Sequence, residues 1–169
     1  ARAPFRSDQV KVLTVTDIDT LYQRRLQSLP QLCGLIADLQ RARQGRYLVA
    51  LPSYEYLDHL SRSLDKPANF IAQSPAMDED EQLALLKQFQ QNPAAVLGIV
   101  MGGVFAESVD FGTSTVAGVV VVSLGLPPTN LIRSLSVEYF NGAHGIGWGE
   151  QIAYLQPAMT RVVQAAGRL

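Results

Sequence analysis

The chain has 169 residues, 47% of them hydrophobic and 17% charged, with 14 Lys+Arg against 15 Asp+Glu for a formal net charge of −1. That length fits one domain of the usual range of roughly 100–200 residues, lets about 70% of the unfolded surface be buried, and with this apolar fraction excludes a disordered chain. A single Cys excludes a disulfide framework, no Cys/His cluster has metal-ligand spacing, and near-neutral charge excludes the basic surplus of a dedicated phosphate binder while leaving room for a local donor-lined groove.

Short apolar runs alternate with longer amphipathic stretches, the pattern of βαβ units on a parallel sheet. In chain order the spacing predicts a strand over Val10–Thr16, a helix over Thr20–Arg43, a strand over Tyr47–Leu51 and a helix over Tyr54–Ser63. A strand over Asn69–Ala72, a helix over Glu79–Gln91 and strands over Ala95–Val100 and Val116–Ser123 follow, then helices near Asn130–Phe140 and Gly149–Ala166. The run from Val116 to Val122 lacks polar alternation and predicts a central strand covered on both faces. It is also the longest apolar stretch, far short of the roughly 20 residues that cross a bilayer. Nothing at the N-terminus reads as a signal peptide, so the expected location is cytoplasmic, with no membrane partner.

Punctuation residues support these boundaries. Gly45 sits where a helix stop is needed, and Ser53 follows Pro52 as an N-cap. Asp78 and Glu81 have capping-box spacing, so the acidic run Asp78-Glu79-Asp80-Glu81 reads as a helix N-terminus favoured by its dipole rather than as a metal site. The opening Ala1-Arg2-Ala3-Pro4-Phe5, without Met, and the close on Gly167-Arg168-Leu169 suit a piece of a longer protein.

Several features invite chemistry they do not support. Gly145-x-Gly147-x-Gly149 follows no predicted strand and lacks the G-x-G-x-x-G spacing of a dinucleotide loop. No G-x-x-x-x-G-K-[ST] occurs, so a triphosphate cradle would have to come from elsewhere. His59 and His144 accompany no nucleophile motif such as G-x-S-x-G. Cys33 lies among Leu29, Leu32, Leu35, Ile36 and Leu39 and reads as a small buried hydrophobe. Trp148, beside glycines, fits either a core or a lid position.

Two segments place polar residues where a parallel sheet delivers them to its C-terminal edge. Gly102-Gly103-Val104-Phe105-Ala106-Glu107-Ser108-Val109-Asp110-Phe111 follows a predicted strand, its glycines letting backbone approach a ligand and its carboxylates Glu107 and Asp110 spaced by one turn. In the segment from Tyr154 to Arg168, Gln164 and Arg168 stand four apart, so on a helix an amide and a guanidinium face the same ligand.

These segments resemble motifs V and VI of superfamily 2 helicases, specifically the XPD/DinG family of ATP-dependent DNA helicases. Gly103-Val104-Phe105-Ala106-Glu107-Ser108-Val109-Asp110-Phe111 is similar to the motif V pattern G-x-F-[AS]-E-G-[IV]-D-[FL]. Gln164-Ala165-Ala166-Gly167-Arg168 is similar to the start of motif VI, Q-x-x-G-R-x-x-R. Ala3-Pro4-Phe5 resembles the S-P-F start of the second motor domain, Leu51-Pro52-Ser53-Tyr54 the end of the motif IV strand, and Leu124-Gly125-Leu126-Pro127-Pro128 follows the apolar strand as in the family. The resemblance covers essentially the whole chain.

What it implies is a single domain, residues 1–169, forming the second RecA-like motor domain of a longer helicase: a three-layer α/β/α fold with a mainly parallel sheet of about five or six strands. In such enzymes ATP binds between two motor domains, the first supplying the P-loop and the acidic Mg²⁺ motif. The resemblance assigns catalytic roles to Arg168 and Gln164, ATP-binding or coupling roles to Gly103, Glu107, Asp110 and Gly167, and contacts with single-stranded DNA to Ser53, Tyr54 and Gly102. It implies ATP and Mg²⁺ in the full-length protein, none bound by this chain alone, and no metal site here; an iron–sulphur cluster would belong to the first motor domain. Two departures stand out: Ser108 replaces the motif V Gly, and the second motif VI Arg would fall beyond Leu169. This chain alone is therefore expected to lack ATPase activity. The rival expectations are a non-catalytic RecA-like docking module and, on fold analogy only, an oxidoreductase or transferase.

Overall fold

A computed structural model of the chain describes residues 10–64, 69–107, 109, 111 and 116–168. Its elements in order are α1 (Leu29–Ala42), β1 (Arg46–Leu51), α2 (Tyr54–Ser63), β2 (Phe70–Ala72), α3 (Glu79–Gln91), β3 (Val96–Val100), α4 (Val104–Glu107), β4 (Val116–Val121), α5 (Leu131–His144) and α6 (Trp148–Glu150). A π-helical turn, Gln151–Leu155, then leads into α7 (Gln156–Ala166). The strands form a four-stranded sheet in the order β2-β3-β1-β4, and every pairing is parallel.

Side chains alternate across a strand, so β1 feeds two cores at once. Tyr47, Val49 and Leu51 pack with Leu32 and Ile36 of α1 and Leu57 and Leu60 of α2. On the opposite face Leu48 and Ala50 pack with Leu85 and Phe89 of α3, Phe105 of α4 and Ala165 of α7. The result is the expected three-layer α/β/α sandwich.

The sheet corrects two expectations. Among the described residues it has four strands rather than five or six, because Val10–Thr16 pairs with nothing and exposes Val12 and Leu13. The Val116–Ser123 run forms β4 at a sheet edge, not at the centre. Its faces are both engaged, Ala117 and Val120 in one core and Val116, Val119 and Val121 in the other, yet each residue is only half-buried. An unbroken apolar run reports two covered faces and does not by itself report how many hydrogen-bonded neighbours the strand has.

Local chemistry fixes the helix limits. The stretch predicted helical from Thr20 becomes α-helix only at Leu29, because Pro30 is accommodated in a first turn and excluded from an interior. Ahead of it, buried Arg25 stacks on Tyr22 and Tyr56 at 4.4 and 4.8 Å and pairs with Glu55 at 2.8 Å, pinning the start of α2 to this segment. Burial pushes the Tyr56 phenol up, with the Arg25 guanidinium acting in the opposite direction. Ser53 caps α2 by accepting from Tyr56 N, and Asp78 and Glu81 form the full capping box. Gly45 is not a left-handed helix stop; a Cβ there would run into Ala117 of β4.

The glycine triplet also acquires a structural reason. Gly145 and Gly147 have φ of +105° and +97°, and a Cβ on Gly149 would lie 2.6 Å from Val137 Cα. Asn141 Oδ1 accepts from Gly147 N and Gly149 N, closing a tight corner between α5 and α6. Trp148 is half-exposed against His144 rather than a core residue, and Cys33 is partly buried against the core. No described helix is long and apolar enough to cross a membrane.

Two substitutions test these assignments. A Cβ on Gly98 of β3 would lie 2.8 Å from Phe70 Cζ and would also strike Leu57. Gly98→Ala is therefore expected to destabilise the chain by about 1–3 kcal/mol through overpacking, and Asp78→Ala by about 1 kcal/mol through loss of the cap, both measured as midpoint shifts in urea unfolding.

Candidate functional site

All four strands run the same way, so their C-terminal ends share one edge, where the loops after β1, β2, β3 and β4 meet. Ladder bonds continue just past the strands: Met101 N donates to Leu51 O and Val122 N to Ala50 O, each at 2.8 Å, and Gln73 N to Gly98 O at 2.9 Å. This registers the loop of Ser53 and Tyr54 against that of Gly102 and Gly103.

After β3 the chain turns sharply. Gly102 takes φ +77° and Gly103 N donates back to Val100 O at 3.0 Å, launching the single turn of α4. Phe105 and Ala106 of α4 are buried whereas Glu107 is exposed. Phe111 closes the loop by packing edge-on to Phe89 at 5.6 Å. Asp110, like Ser108, lies outside the described residues.

Motif VI arrives on α7. Ala158 and Ala165, both 0% exposed, face the interior, while Gln164 is exposed and its amide has no hydrogen bond among the described residues. The helix ends at Ala166 with Gly167 as C-cap, so Gln164 and Arg168 do not share a helical face as their spacing predicted. Arg168, past the helix end, turns onto motif V instead. Its Nε and Nη2 donate to Ala106 O at 2.9 and 2.8 Å, and its Nη1 donates to Val109 O at 2.8 Å. A planar fork gripping two carbonyls fixes orientation as well as distance.

Two further residues, outside the motifs legible in the sequence, organise this edge. Arg161 of α7 donates from Nη1 to Gly125 O at 3.0 Å, and its Nε lies 3.0 Å from where a Gly102 Cβ would be. It thus joins the loops after β3 and β4, and a Cβ at Gly102 would crowd it. Gln73 is buried between Tyr54 and Val100, donating to the Tyr54 hydroxyl at 2.9 Å and accepting from Val100 N at 3.1 Å. Both carried weak signals: Gln73 is a polar residue directly beyond a predicted strand, and Arg161 is a cation three residues from Ala158 on the buried side of α7.

Of the predicted site residues, Gly103, Glu107, Gly167 and Arg168 therefore lie together where motifs V and VI meet. Ser53, Tyr54 and Gly102 form a neighbouring group at the ends of β1 and β3. Among the described residues no group of His, Cys, Asp or Glu is placed to hold a metal ion.

Comparison with solved structures places the whole arrangement in context. An XPD helicase superposes with a TM-score of 0.69 at 19% identity, covering 90% of this chain and 27% of that one. An apo form of XPD gives a TM-score of 0.69 at 20% identity, with 90% and 31% covered. An Xpd protein of S. tokodaii gives 0.61 at 18%, with 90% and 30% covered. The chain thus spans about a third or less of each of these proteins, and at such identities the likeness establishes the RecA-like fold. Residues 36–169, a span that takes in β1 through motif VI, match the family described as helicase C-terminal domain. The chain belongs to that helicase C-terminal domain family, with the fold of the corresponding part of XPD helicases.

Proposed function

We propose that this domain is the second motor domain of an ATP-dependent DNA helicase. In this reading it contributes motif V and VI residues to an ATP site shared with a first motor domain and forms part of a single-stranded DNA track, in a cytoplasmic enzyme. The observation that carries the reading is the grip of Arg168 on motif V. A guanidinium has five N–H groups, and the three hydrogen bonds to Ala106 O and Val109 O leave donors for an anionic ligand.

Phosphoryl transfer needs charge stabilisation on the migrating group more than covalent help, and an arginine there is worth roughly 10³–10⁵ in rate. Arg168 suits that role because its other contacts hold it rigidly at the site, so little reorganisation accompanies the reaction. Gln164, exposed one turn earlier, is the second candidate for the nucleotide. Glu107, Asp110, Gly103 and Gly167 serve coupling, since motif V follows β3 directly, touches the arginine and packs Gly103 against Gln73 of the loop after β2. The P-loop, the Mg²⁺ ligands and any iron–sulphur cluster are assigned to the first motor domain. Ser53, Tyr54 and Gly102 supply hydroxyl and backbone donors for DNA phosphates.

In the full-length protein, Arg168→Ala is expected to lower DNA-stimulated ATP turnover by about 10³-fold or more while leaving the circular dichroism spectrum unchanged. Arg168→Lys, which keeps the charge but loses the fork, is expected to fail similarly. Near-wild-type turnover in either variant refutes the role. The chain on its own is expected to hydrolyse no ATP and to bind single-stranded DNA weakly and with strong salt dependence; sub-micromolar, salt-insensitive binding would contradict a track shared between two domains.

A further inference from the structure

We infer that Gln73 is a positioning residue: it orients the Tyr54 hydroxyl as an outward hydrogen-bond donor to a phosphate of single-stranded DNA and ties that contact to the start of motif V. The inference rests on the proposed DNA track and adds a residue and a mechanism to it.

Gln73 is only 7% exposed, an unusual state for a residue type normally found at the surface. It follows β2 directly. Its backbone N makes the last ladder bond, to Gly98 O, and its side chain then takes over as acceptor for the next β3 donor, Val100 N. That second bond fixes the amide unambiguously. A backbone N–H can only donate, so the atom facing Val100 is Oε1, and the NH₂ group must point to the Tyr54 oxygen, 2.9 Å away.

The consequence lies in the hydroxyl. A tyrosine oxygen carries one hydrogen and accepts through lone pairs. Because Gln73 donates to it, the Tyr54 hydrogen is directed elsewhere, and it meets no other acceptor among the described residues. The carboxylate adjacent in sequence, Glu55, is paired with Arg25 rather than with the Tyr54 hydroxyl, so the hydrogen remains for an incoming acceptor. Phosphate oxygens accept hydrogen bonds and donate none, which matches a hydroxyl held as a donor.

The same amide also touches motif V. A Cβ on Gly103 would lie 3.2 Å from Gln73 Nε2 and 3.5 Å from Oε1, so the glycine backbone is packed against the group that holds Tyr54. Movement of Tyr54 on meeting DNA is thereby felt at the residue that launches α4.

The test is a double-mutant cycle in the full-length protein, reading affinity for a fluorescein-labelled oligothymidylate by anisotropy, with thermal midpoints measured alongside. Tyr54→Phe and Gln73→Leu are each expected to weaken binding about tenfold, the size expected for a hydrogen bond to a charged group, and the double variant no further than either single. Additive losses, or unchanged affinity in Gln73→Leu, overturn the inference. Should Gln73→Leu fold poorly, Gln73→Glu replaces it. Its carboxylate still accepts from Val100 N but draws the Tyr54 hydrogen inward, so it is expected to cost more affinity in the parent than in the Tyr54→Phe background. Equal losses in the two backgrounds overturn the orienting role, because a general charge effect would be the same in both. Absence of DNA binding by the parent overturns the proposed function as well, whereas a loss on Tyr54→Phe alone overturns only the part played by Gln73.

Discussion

The structure depends on one constraint: β1 is flanked by parallel neighbours and has no solvent-facing side. Residues 47–51 are at most 5% exposed, and their side chains alternate between two cores. Parallel strands buried in this way need helices on both faces and crossovers between them. The crossovers then return every strand in the same direction, so all C-terminal ends collect on one edge. Burial of five residues thereby determines where a ligand can be met, before any residue at that edge is chosen.

At that edge the requirement changes from burying apolar groups to satisfying backbone ones. Ladder bonds stop, yet the chain remains too enclosed for water to serve every donor and carbonyl. Three long polar side chains take over. Gln73 receives Val100 N, Arg161 reaches Gly125 O, and Arg168 reaches Ala106 O and Val109 O. Each comes from a different place in the sequence from the backbone it serves, so each ties one loop to another element. Gly102 and Gly103 are the counterpart, since a Cβ at either would crowd Arg161 or Gln73. The glycines and the long polar residues are a single solution to the same packing problem.

How much of this was legible follows from the range over which each cause acts. Caps are local: Ser53, Asp78 with Glu81, and Asn130 each bond within three residues, and all lie at or next to a helix start the sequence indicates. Strand order is not local. The Val116–Val122 run advertises two apolar faces, and β4 has them, but its place at the sheet edge depends on which strand pairs with it, which the apolar pattern of one strand does not encode. Gly45 likewise reads as a helix stop by neighbourhood, while its cause is Ala117, distant in sequence. The continuous helix expected over Gly149–Ala166 hides a further nonlocal repair. Pro157 has no N–H to give Ala153 O, the helix widens into a π turn just before it, and that carbonyl instead accepts from Arg133 Nη1 of α5 at 3.0 Å.

The same distinction governs the site. Motifs V and VI were recognisable because each is a contiguous string whose residues act within one loop or one helix end. Their relation to each other was not, because helical spacing describes residues on a continuing helix and α7 stops before Arg168. Gly167 ends the helix with φ −71° and no left-handed turn, and the released arginine is then free to leave the face of Gln164. Its destination is the pair of carbonyls at and just beyond the end of α4, Ala106 O and Val109 O. A one-residue change in where α7 ends would therefore alter which loop the guanidinium serves, although every letter of the motif stayed the same. The motif string specifies the chemistry available at this edge; the helix terminus and the β3 turn specify what that chemistry touches.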